Sequence, residues 1–137
     1  MAFFLRFNTL ILNINHCNSY KNPYHLSQGG PIMVRDVKIT VLKTIFNEDL
    51  AKDYGVPNLG TCPCNKVGQV YISKAGLKPD DLCDDAWEAF GRFVFALAHG
   101  VNEFFPDWVD VPKTTINCCN DGIRPVIFKC EVLEEGE

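Results

Sequence analysis

The stretch from Thr114 to Val132, TTINCCNDGIRPVIFKCEV, constrains the fold more than any other part of this chain. Two runs rich in β-forming residues flank Asn120-Asp121-Gly122, which is the pattern of a β-hairpin. The stretch also holds three of the seven cysteines. A hairpin with one apolar face requires a second layer that covers this face, so the stretch predicts a layered domain with a sheet.

Two loop lengths suit this hairpin, and each predicts a different register. A two-residue loop, Asp121-Gly122, pairs Cys119 with Arg124. It places four side chains on one face: Thr115, Asn117, Val126 and Phe128. A three-residue loop with Gly122 in the left-handed region pairs Cys118 with Arg124 instead. It places six apolar side chains on one face: Ile116, Cys118, Val126, Phe128, Cys130 and Val132. Because a one-residue slip reverses the faces of a strand, we predict the three-residue loop, which gives the more apolar face.

Two strands and a short helix are indicated upstream of the hairpin. Val37–Phe46 is rich in β-branched residues and has apolar residues on both faces, which predicts a central strand. Val67–Ser73 predicts a second strand. Asn47 as N-cap and Gly55 as stop delimit a short helix, Glu48–Tyr54.

Asp84–His99 is predicted to be the one long helix. Its apolar residues recur at helical spacing on one side: Trp87, Phe90, Val94 and Leu97. Together these elements predict an α+β fold. We expect a small two-layer domain with a mixed or antiparallel sheet of about four strands, a C-terminal β-hairpin, one long helix and one short helix.

Residues 1–32 differ in composition from the rest of the chain. They contain no acidic residue, whereas all 17 Asp and Glu residues follow them. They make a poor signal peptide, and they are too short and too polar to span a bilayer. The codons of Gly29-Gly30 can contain a ribosome-binding sequence at a normal spacing before Met33. We therefore expect residues 1–32 to be a non-native or disordered extension from a misassigned start, and residues 33–137 to be a single domain.

The charge balance and the lack of an export signal restrict the partners and the compartment. The chain has 13 basic and 17 acidic residues and no basic stripe with aromatics, so we expect neither nucleic acid nor membrane as a partner. We expect a cytoplasmic protein with reduced thiols. In a reducing compartment, its cysteines favour metal binding, redox chemistry or core packing over a disulfide framework.

The cysteines are the main candidates for chemistry. Cys62-Pro63-Cys64 is a C-x-C pair in a predicted loop, and Cys83 precedes the long helix. Cys118 and Cys119 are neighbours on a strand, so their side chains should point to opposite faces, and the predicted register turns Cys118 inward. Thiolates suit zinc and iron–sulfur clusters. We expect a metal site with four ligands: Cys62, Cys64, Cys83 and Cys118.

Two other interpretations of the cysteines stay open. The first is a reactive thiolate, either Cys118 opposite Arg124 or Cys83 at the N-terminus of the long helix. The aspartates around Cys83 disfavour a thiolate at that residue. In the second interpretation, the free cysteines pack as small hydrophobic residues.

At a thiol or ligand site we expect five further side chains: Cys119, Asp121, Arg124, Trp87 and Trp108.

A binding module without catalysis is the alternative function. Its ligand or protein partner would bind an aromatic pocket beside Arg124, lined by Trp87, Phe104, Phe105 and Trp108. Whether the protein is an enzyme stays open. After Met33 only His99 remains as a histidine, and no acid–histidine–nucleophile set or glycine-rich phosphate motif is present.

Four segments resemble a family of small conserved hypothetical proteins of anaerobic bacteria and archaea. They are VKITVLKTIFNEDLAKDYG, CPCNKVGQVYIS, LCDDAWEAF and CCNDGIRPVIFK, within Val34 to Val132. The family pattern matches these positions: Cys62, Pro63, Cys83, Cys118, Cys119, Asp121, Gly122, Arg124, Pro125, Val126 and Phe128. Cys64 and Cys130 depart from the pattern. The resemblance implies a domain and a motif set, without an established activity.

Two classes of function therefore remain. The first is a small metal- or redox-linked accessory protein whose cysteines converge on one site. The second is a ligand- or partner-binding module with structural cysteines. The two differ in geometry, because only the first requires several thiols to lie close together.

Overall fold

A computed structural model describes residues 33–134 of the chain. The predicted extension, residues 1–32, lies outside the described residues, so its assignment to a misassigned start stays a prediction. The described elements follow one another as β1 (Val37–Thr44), α1 (Glu48–Tyr54), β2 (Val70–Ser73), a short 3-10 turn (Lys74–Gly76), α2 (Asp84–Ala98), β3 (Thr114–Cys118) and β4 (Val126–Val132).

The four strands form one antiparallel sheet in the order β2-β1-β4-β3. The predicted α+β architecture and its C-terminal strand pair are thus confirmed. The run Val37–Phe46 was expected to be a central strand, and β1 indeed pairs with both β2 and β4. The predicted second strand begins later than expected, because residues 66–69 form a turn closed by a hydrogen bond from the Gln69 N–H to the Lys66 carbonyl.

Helix α2 covers one face of this sheet and forms the core with it. Four residues of its inner side are almost fully buried: Ala86, Phe90, Val94 and Leu97. They pack against four buried residues of β4: Val126, Phe128, Cys130 and Val132. The rings of Phe90 and Phe128 have centroids 4.9 Å apart. Trp87, predicted to belong to the helical stripe, is only partly buried at the edge of this core.

The direction of α2 decides which residues share an end of the domain. The Arg35 N–H donates to the Ala98 carbonyl at 2.9 Å, so the C-terminus of α2 lies beside the start of β1. The helix has 15 residues and is about 22 Å long, which is close to the length of a strand of about seven residues. Its N-terminus, preceded by Cys83, therefore lies near the end of β1 and the start of β4.

The predicted hairpin register is wrong. In the sheet Cys118 is opposite Ile127, and Thr115 is opposite Cys130. As a result Ile116 and Cys118 are exposed on the sheet face away from α2, whereas Thr115 is buried. The two-residue loop predicted the faces of β3 correctly, with Thr115 and Asn117 on the same face as Phe128. Its pairing differs by two residues, because it placed Asn117 opposite Val126, whereas in the sheet Asn117 is opposite Phe128. The two strands are joined by a longer connection, residues 119–125.

The chemistry of Asp121 explains this longer connection. Its Oδ1 atom accepts hydrogen bonds from the N–H groups of Ile123 (2.9 Å) and Arg124 (3.0 Å). An aspartate that binds the backbone two and three residues ahead forms a turn of its own, which competes with a tight hairpin turn. Gly122, which the prediction placed in the left-handed region, is not among the described glycines with positive φ.

Among residues 33–134, no helix is long and apolar enough to cross a membrane.

Candidate functional site

Several loops and termini meet at the end of the domain where β4 begins. β1 ends opposite Val126 at Thr44, and β3 ends opposite Ile127 at Cys118. Helix α2 begins at the same end. The start of α1 also lies at this end. Asn47, which directly precedes α1, donates from its backbone N–H to the Ile123 carbonyl and from Nδ2 to the Gly122 carbonyl.

Three of the four predicted metal ligands come together here: Cys62, Cys64 and Cys83. Loss of hydration raises the pKa of Cys64, and the negative charges of Cys62 and Cys83 raise it further. A hydrogen bond with Cys62 adds to this rise in the pKa of Cys64. The hydrogen bond joins Cys62 and Cys64, and Cys83 lies near enough for its charge to act on Cys64, so we call these three residues the thiol cluster.

Arg124 is paired with Asp121, and its charge interacts with two thiols of the thiol cluster. Its Nε atom donates to Asp121 Oδ2 at 2.8 Å. This hydrogen bond raises the pKa of Arg124, and the negative sulfurs of Cys62 and Cys64 add to the effect. The pKa of Asp121 is held below its ordinary value by hydrogen bonds from the backbone and side chain of Arg124 and from the Ile123 N–H. The ion pair thus places one fixed positive charge close to two thiols.

Asn65 and Tyr71 support the thiol cluster from the protein interior. The Asn65 side chain is only 3% exposed, and its Nδ2 atom donates to Cys62 Sγ at 3.8 Å. The Tyr71 hydroxyl donates to Asn65 Oδ1 at 2.9 Å. Sequence reasoning missed both residues. The signal for Tyr71 was its inward position in β2, because a buried tyrosine hydroxyl usually requires a partner.

Cys118 and Cys119 form a separate pair. Partial burial of its sulfur raises the pKa of Cys118, although the residue as a whole is exposed, and the Cys119 thiolate and Asp121 add to the rise. The Cys119 sulfur accepts the Val126 N–H at 3.3 Å. The expected inward orientation of Cys118 is wrong because the register is different. Its role as a fourth metal ligand stays a prediction.

Cys130, the remaining cysteine of the hairpin, is fully buried in the core. Burial raises the pKa of its thiol to about 12. Its sulfur accepts a hydrogen bond from Asn117 Nδ2 at 3.7 Å. This cysteine behaves as a core residue.

The aromatic residues of the predicted pocket pack mainly on one another. Phe105 stacks on Trp108 with ring centroids 4.8 Å apart, while Phe93 contacts both Phe104 and Phe105 edge-on. Phe104 is buried and Trp108 is 67% exposed. Trp87 lies against the backbone of Gly91 instead. Arg124, which was expected beside the aromatic pocket, is bound to Asp121.

A shallow cavity of about 440 Å³ lies along β2. Nine residues line it: Val70, Tyr71, Ile72, Lys74, Leu77, Lys78, Pro79, Asp80 and Asp81. Within the described part of the chain, no three His, Cys, Asp or Glu side chains are arranged to hold a metal ion. The thiol cluster as it stands is therefore not a formed metal centre.

Comparison of the chain with protein-family models, curated proteins and solved structures gives no significant match. The resemblance to small proteins of anaerobes therefore stays a prediction.

Proposed function

We propose that this protein is a thiol-based redox accessory protein that cycles between a dithiol and a disulfide at Cys62 and Cys64. The observation that carries the proposal is the position of Cys62, whose sulfur accepts a hydrogen bond from a buried asparagine beside two further thiols. We also propose a reducing, cytoplasmic environment, in which the dithiol form is the resting state.

The exchange reaction requires an oxidant that is itself a disulfide. The Cys62 thiolate attacks one sulfur of a low-molecular-weight disulfide, whose S–S bond breaks and releases one thiolate. The Cys64 thiol then loses its proton to solvent and attacks the Cys62 sulfur, which releases the second thiolate. The protein loses two electrons and two protons, and the small disulfide gains both to become two thiols.

The thiol cluster imposes an order on these steps. The charge of Cys62 and its hydrogen bond with Cys64 both raise the pKa of Cys64. Ionisation of Cys64 is therefore harder while Cys62 carries a negative charge. Once Cys62 is bound in a mixed disulfide, both of these causes disappear, so Cys64 ionises more readily and becomes the second nucleophile.

Arg124 supports both steps through its positive charge. A cation near a sulfur favours the thiolate and the negative charge that develops on sulfur during exchange. Asp121 fixes the guanidinium by its hydrogen bond at 2.8 Å, so this charge is in place before the reaction begins. The pair belongs to the connection between β3 and β4, whereas the thiols belong to other segments.

The test is oxidation of the reduced full chain with oxidised glutathione, followed by thiol counting and peptide mapping by mass spectrometry. We expect two of the seven thiols to disappear, with a bond between Cys62 and Cys64. Cys64→Ser should stop at the mixed disulfide on Cys62, and Cys118→Ser, an exposed control, should react like the wild type. Oxidation that leaves Cys62 and Cys64 free would contradict the proposal.

A soft-metal site is the second candidate, and the convergence of three thiols from two segments favours it. Zinc or iron would have to draw Cys62, Cys64 and Cys83 closer, and it would displace the proton of Cys64. Elemental analysis of anaerobically purified protein tests this candidate. Stoichiometric metal that is lost in Cys83→Ser supports it, whereas the disulfide between Cys62 and Cys64 should form without Cys83.

The binding module receives less support from the geometry. It requires Arg124 to face the aromatic residues of segment 101–112, but the guanidinium is engaged by Asp121. Ligand binding that is lost after Arg124→Ala and after Trp108→Ala, but not after Cys62→Ser, would favour this function over the redox proposal.

A further inference from the structure

Two asparagine–cysteine contacts of nearly equal length occur in the described part of the chain. Asn65 Nδ2 lies 3.8 Å from Cys62 Sγ, and Asn117 Nδ2 lies 3.7 Å from Cys130 Sγ. Their surroundings differ, because Cys130 is fully buried whereas Cys62 is half-buried and lies in the thiol cluster. Only the first contact involves a sulfur that solvent and a substrate can reach.

The Asn65 amide is held at both ends. Its Oδ1 atom accepts the Tyr71 hydroxyl at 2.9 Å, so its Nδ2 atom is directed to the Cys62 sulfur. If the amide rotated by half a turn, its oxygen would face the sulfur, and a thiolate would lose its hydrogen-bond donor. By donating to Oδ1, the tyrosine hydroxyl supports the orientation in which Nδ2 meets Cys62, and this is the orientation that a thiolate, which can only accept, requires.

Tyr71 is suited to this task because it remains a donor. Burial raises the pKa of Tyr71, and the negative charges of Asp81 and the cluster thiols raise it further. The hydroxyl accordingly keeps its proton even when the neighbouring thiols are ionised. Its position in β2, opposite Ile39, makes it part of the sheet framework.

The backbone around Asn65 is fixed as well. Directly after it, Lys66 and Gln69 close a turn through two hydrogen bonds, and the Gly68 N–H donates to the Val41 carbonyl at 2.8 Å. The turn is thus attached to β1, the central strand. Asn65 is presented to the thiol cluster by a supported loop, which is what a positioning residue requires.

We propose that Asn65 is a positioning residue for Cys62 and that Tyr71 sets the orientation of its amide. The amide supplies a hydrogen-bond donor to the Cys62 sulfur and so makes Cys62 the first nucleophile of the thiol cluster. This inference rests on the proposed redox function, and it adds two residues that the cysteine pattern does not contain.

The test measures the alkylation rate of Cys62 by iodoacetamide in the full chain, with peptide mapping at a series of pH values. In Asn65→Ala the rate at neutral pH should fall roughly tenfold, which is the effect of one lost hydrogen bond to a charged acceptor. The pH at which alkylation is half-maximal should rise. In Tyr71→Phe the rate should fall about threefold, since the amide is then free to rotate.

The double variant separates positioning from a general structural effect. If Tyr71 acts only through the amide, adding Tyr71→Phe to Asn65→Ala should cause no further change in the Cys62 rate. The matched control is Asn117→Ala, which removes the other asparagine–cysteine contact and should leave Cys62 alkylation unchanged.

Circular dichroism and thermal unfolding identify any variant that has lost its fold. If Asn65→Ala unfolds, Tyr71→Phe, which removes a single oxygen, decides.

Wild-type rates and pH profiles in folded Asn65→Ala and Tyr71→Phe would overturn the inference, as would equal slowing in Asn117→Ala. Failure of the redox function gives a different result. In that case glutathione would not oxidise Cys62 and Cys64 in the wild type, while Asn65→Ala would still slow alkylation of Cys62.

Discussion

Cys130 shows how strongly the position of a single residue determines its chemistry. It belongs to the same hairpin as Cys118 and Cys119, yet it is fully buried between neighbours from β1 and β3. Burial disfavours a charged thiolate, and the hydrogen bond from Asn117 offsets this effect only in part. A thiol of this kind is a small core residue, and its titration is coupled to folding.

We predict that alkaline pH destabilises the protein through Cys130. In the unfolded chain this thiol ionises near its ordinary pKa of 9.0, whereas in the folded protein its pKa is about 12. Its contribution to stability is therefore complete below pH 9 and is lost as the pH rises toward 12, by about 1.4 kcal/mol per pH unit. Cys130→Ala should unfold more easily at pH 7, by about 1 kcal/mol, but should lose less stability above pH 9. Urea denaturation at pH 7 and pH 10 measures both effects, and equal alkaline losses in the two proteins would contradict the prediction.

Thr115 illustrates the cost of a buried polar group. It is fully buried opposite Cys130, and its hydroxyl has no hydrogen-bond partner among residues 33–134. The hydroxyl loses its contact with water on folding without a compensating bond.

We predict that Thr115→Val stabilises the protein by about 1 kcal/mol, because valine has nearly the same shape and no hydroxyl. The free energy of unfolding from urea denaturation measures this. Thr114→Val, at a neighbouring position of β3, is the control. A loss of stability in Thr115→Val would indicate that the hydroxyl has a partner, such as a bound water molecule.

At the scale of elements, α2 depends on one close contact within its own length. Gly91 faces Trp87 one turn earlier, and a Cβ atom at Gly91 would lie 2.7 Å from Cε2 of the indole. Glycine ordinarily weakens a helix interior by about 1 kcal/mol relative to alanine. Here it allows the indole to lie flat on the helix backbone.

We predict that Gly91→Ala destabilises the protein by about 1–3 kcal/mol despite the better helix propensity, because the indole has to move. In a Trp87→Ala background the same change should stabilise it, by about 1 kcal/mol. Thermal unfolding of the four proteins of this double-mutant cycle measures the reversal of sign. A stabilising Gly91→Ala change in the wild-type background would show that Trp87 moves without cost.

The connection between β3 and β4 is the element that most directly links fold and site. Asp121 binds two N–H groups ahead of it and the Arg124 side chain, so one carboxylate both shapes the connection and orients the guanidinium. Because this turn occupies residues that a tight hairpin would have paired, it also sets the register of β3. The same interactions hold the positive charge near the thiol cluster.

At the scale of the whole molecule, the described residues form one core around a single sheet. The buried hydrophobic residues described above lie between Val37 and Val132, and α2 covers the face of the sheet to which they belong. A domain of about 105 residues buries roughly two-thirds of the surface of its unfolded chain, which is sufficient for a cooperative fold.

We predict that residues 33–137 fold on their own, with a melting temperature within a few degrees of that of the full chain, because they contain this core. Circular dichroism and thermal unfolding of the two proteins measure it. An unfolded or strongly destabilised fragment would contradict the prediction and would give residues 1–32 a structural role.

The sequence by itself determined the elements and their type. The β-branched run at Val37, the helical stripe around Phe90 and the turn residues at Asp121 are local signals, so they predicted the α+β fold and most element boundaries. The segments that carry Cys62 and Cys83 were likewise identified from composition and spacing alone.

Only the tertiary structure decided the register of the hairpin and the membership of the site. β4 lies between β1 and β3, so the face of β3 is set by pairing across the sheet and by the Asp121 turn, and local hydrophobicity ranked the wrong face first. The contact of Asn65 with Cys62 depends on Tyr71, which comes from another segment. A periodic pattern describes what each residue does along the chain, whereas a hydrogen bond between distant residues exists only after the chain has folded.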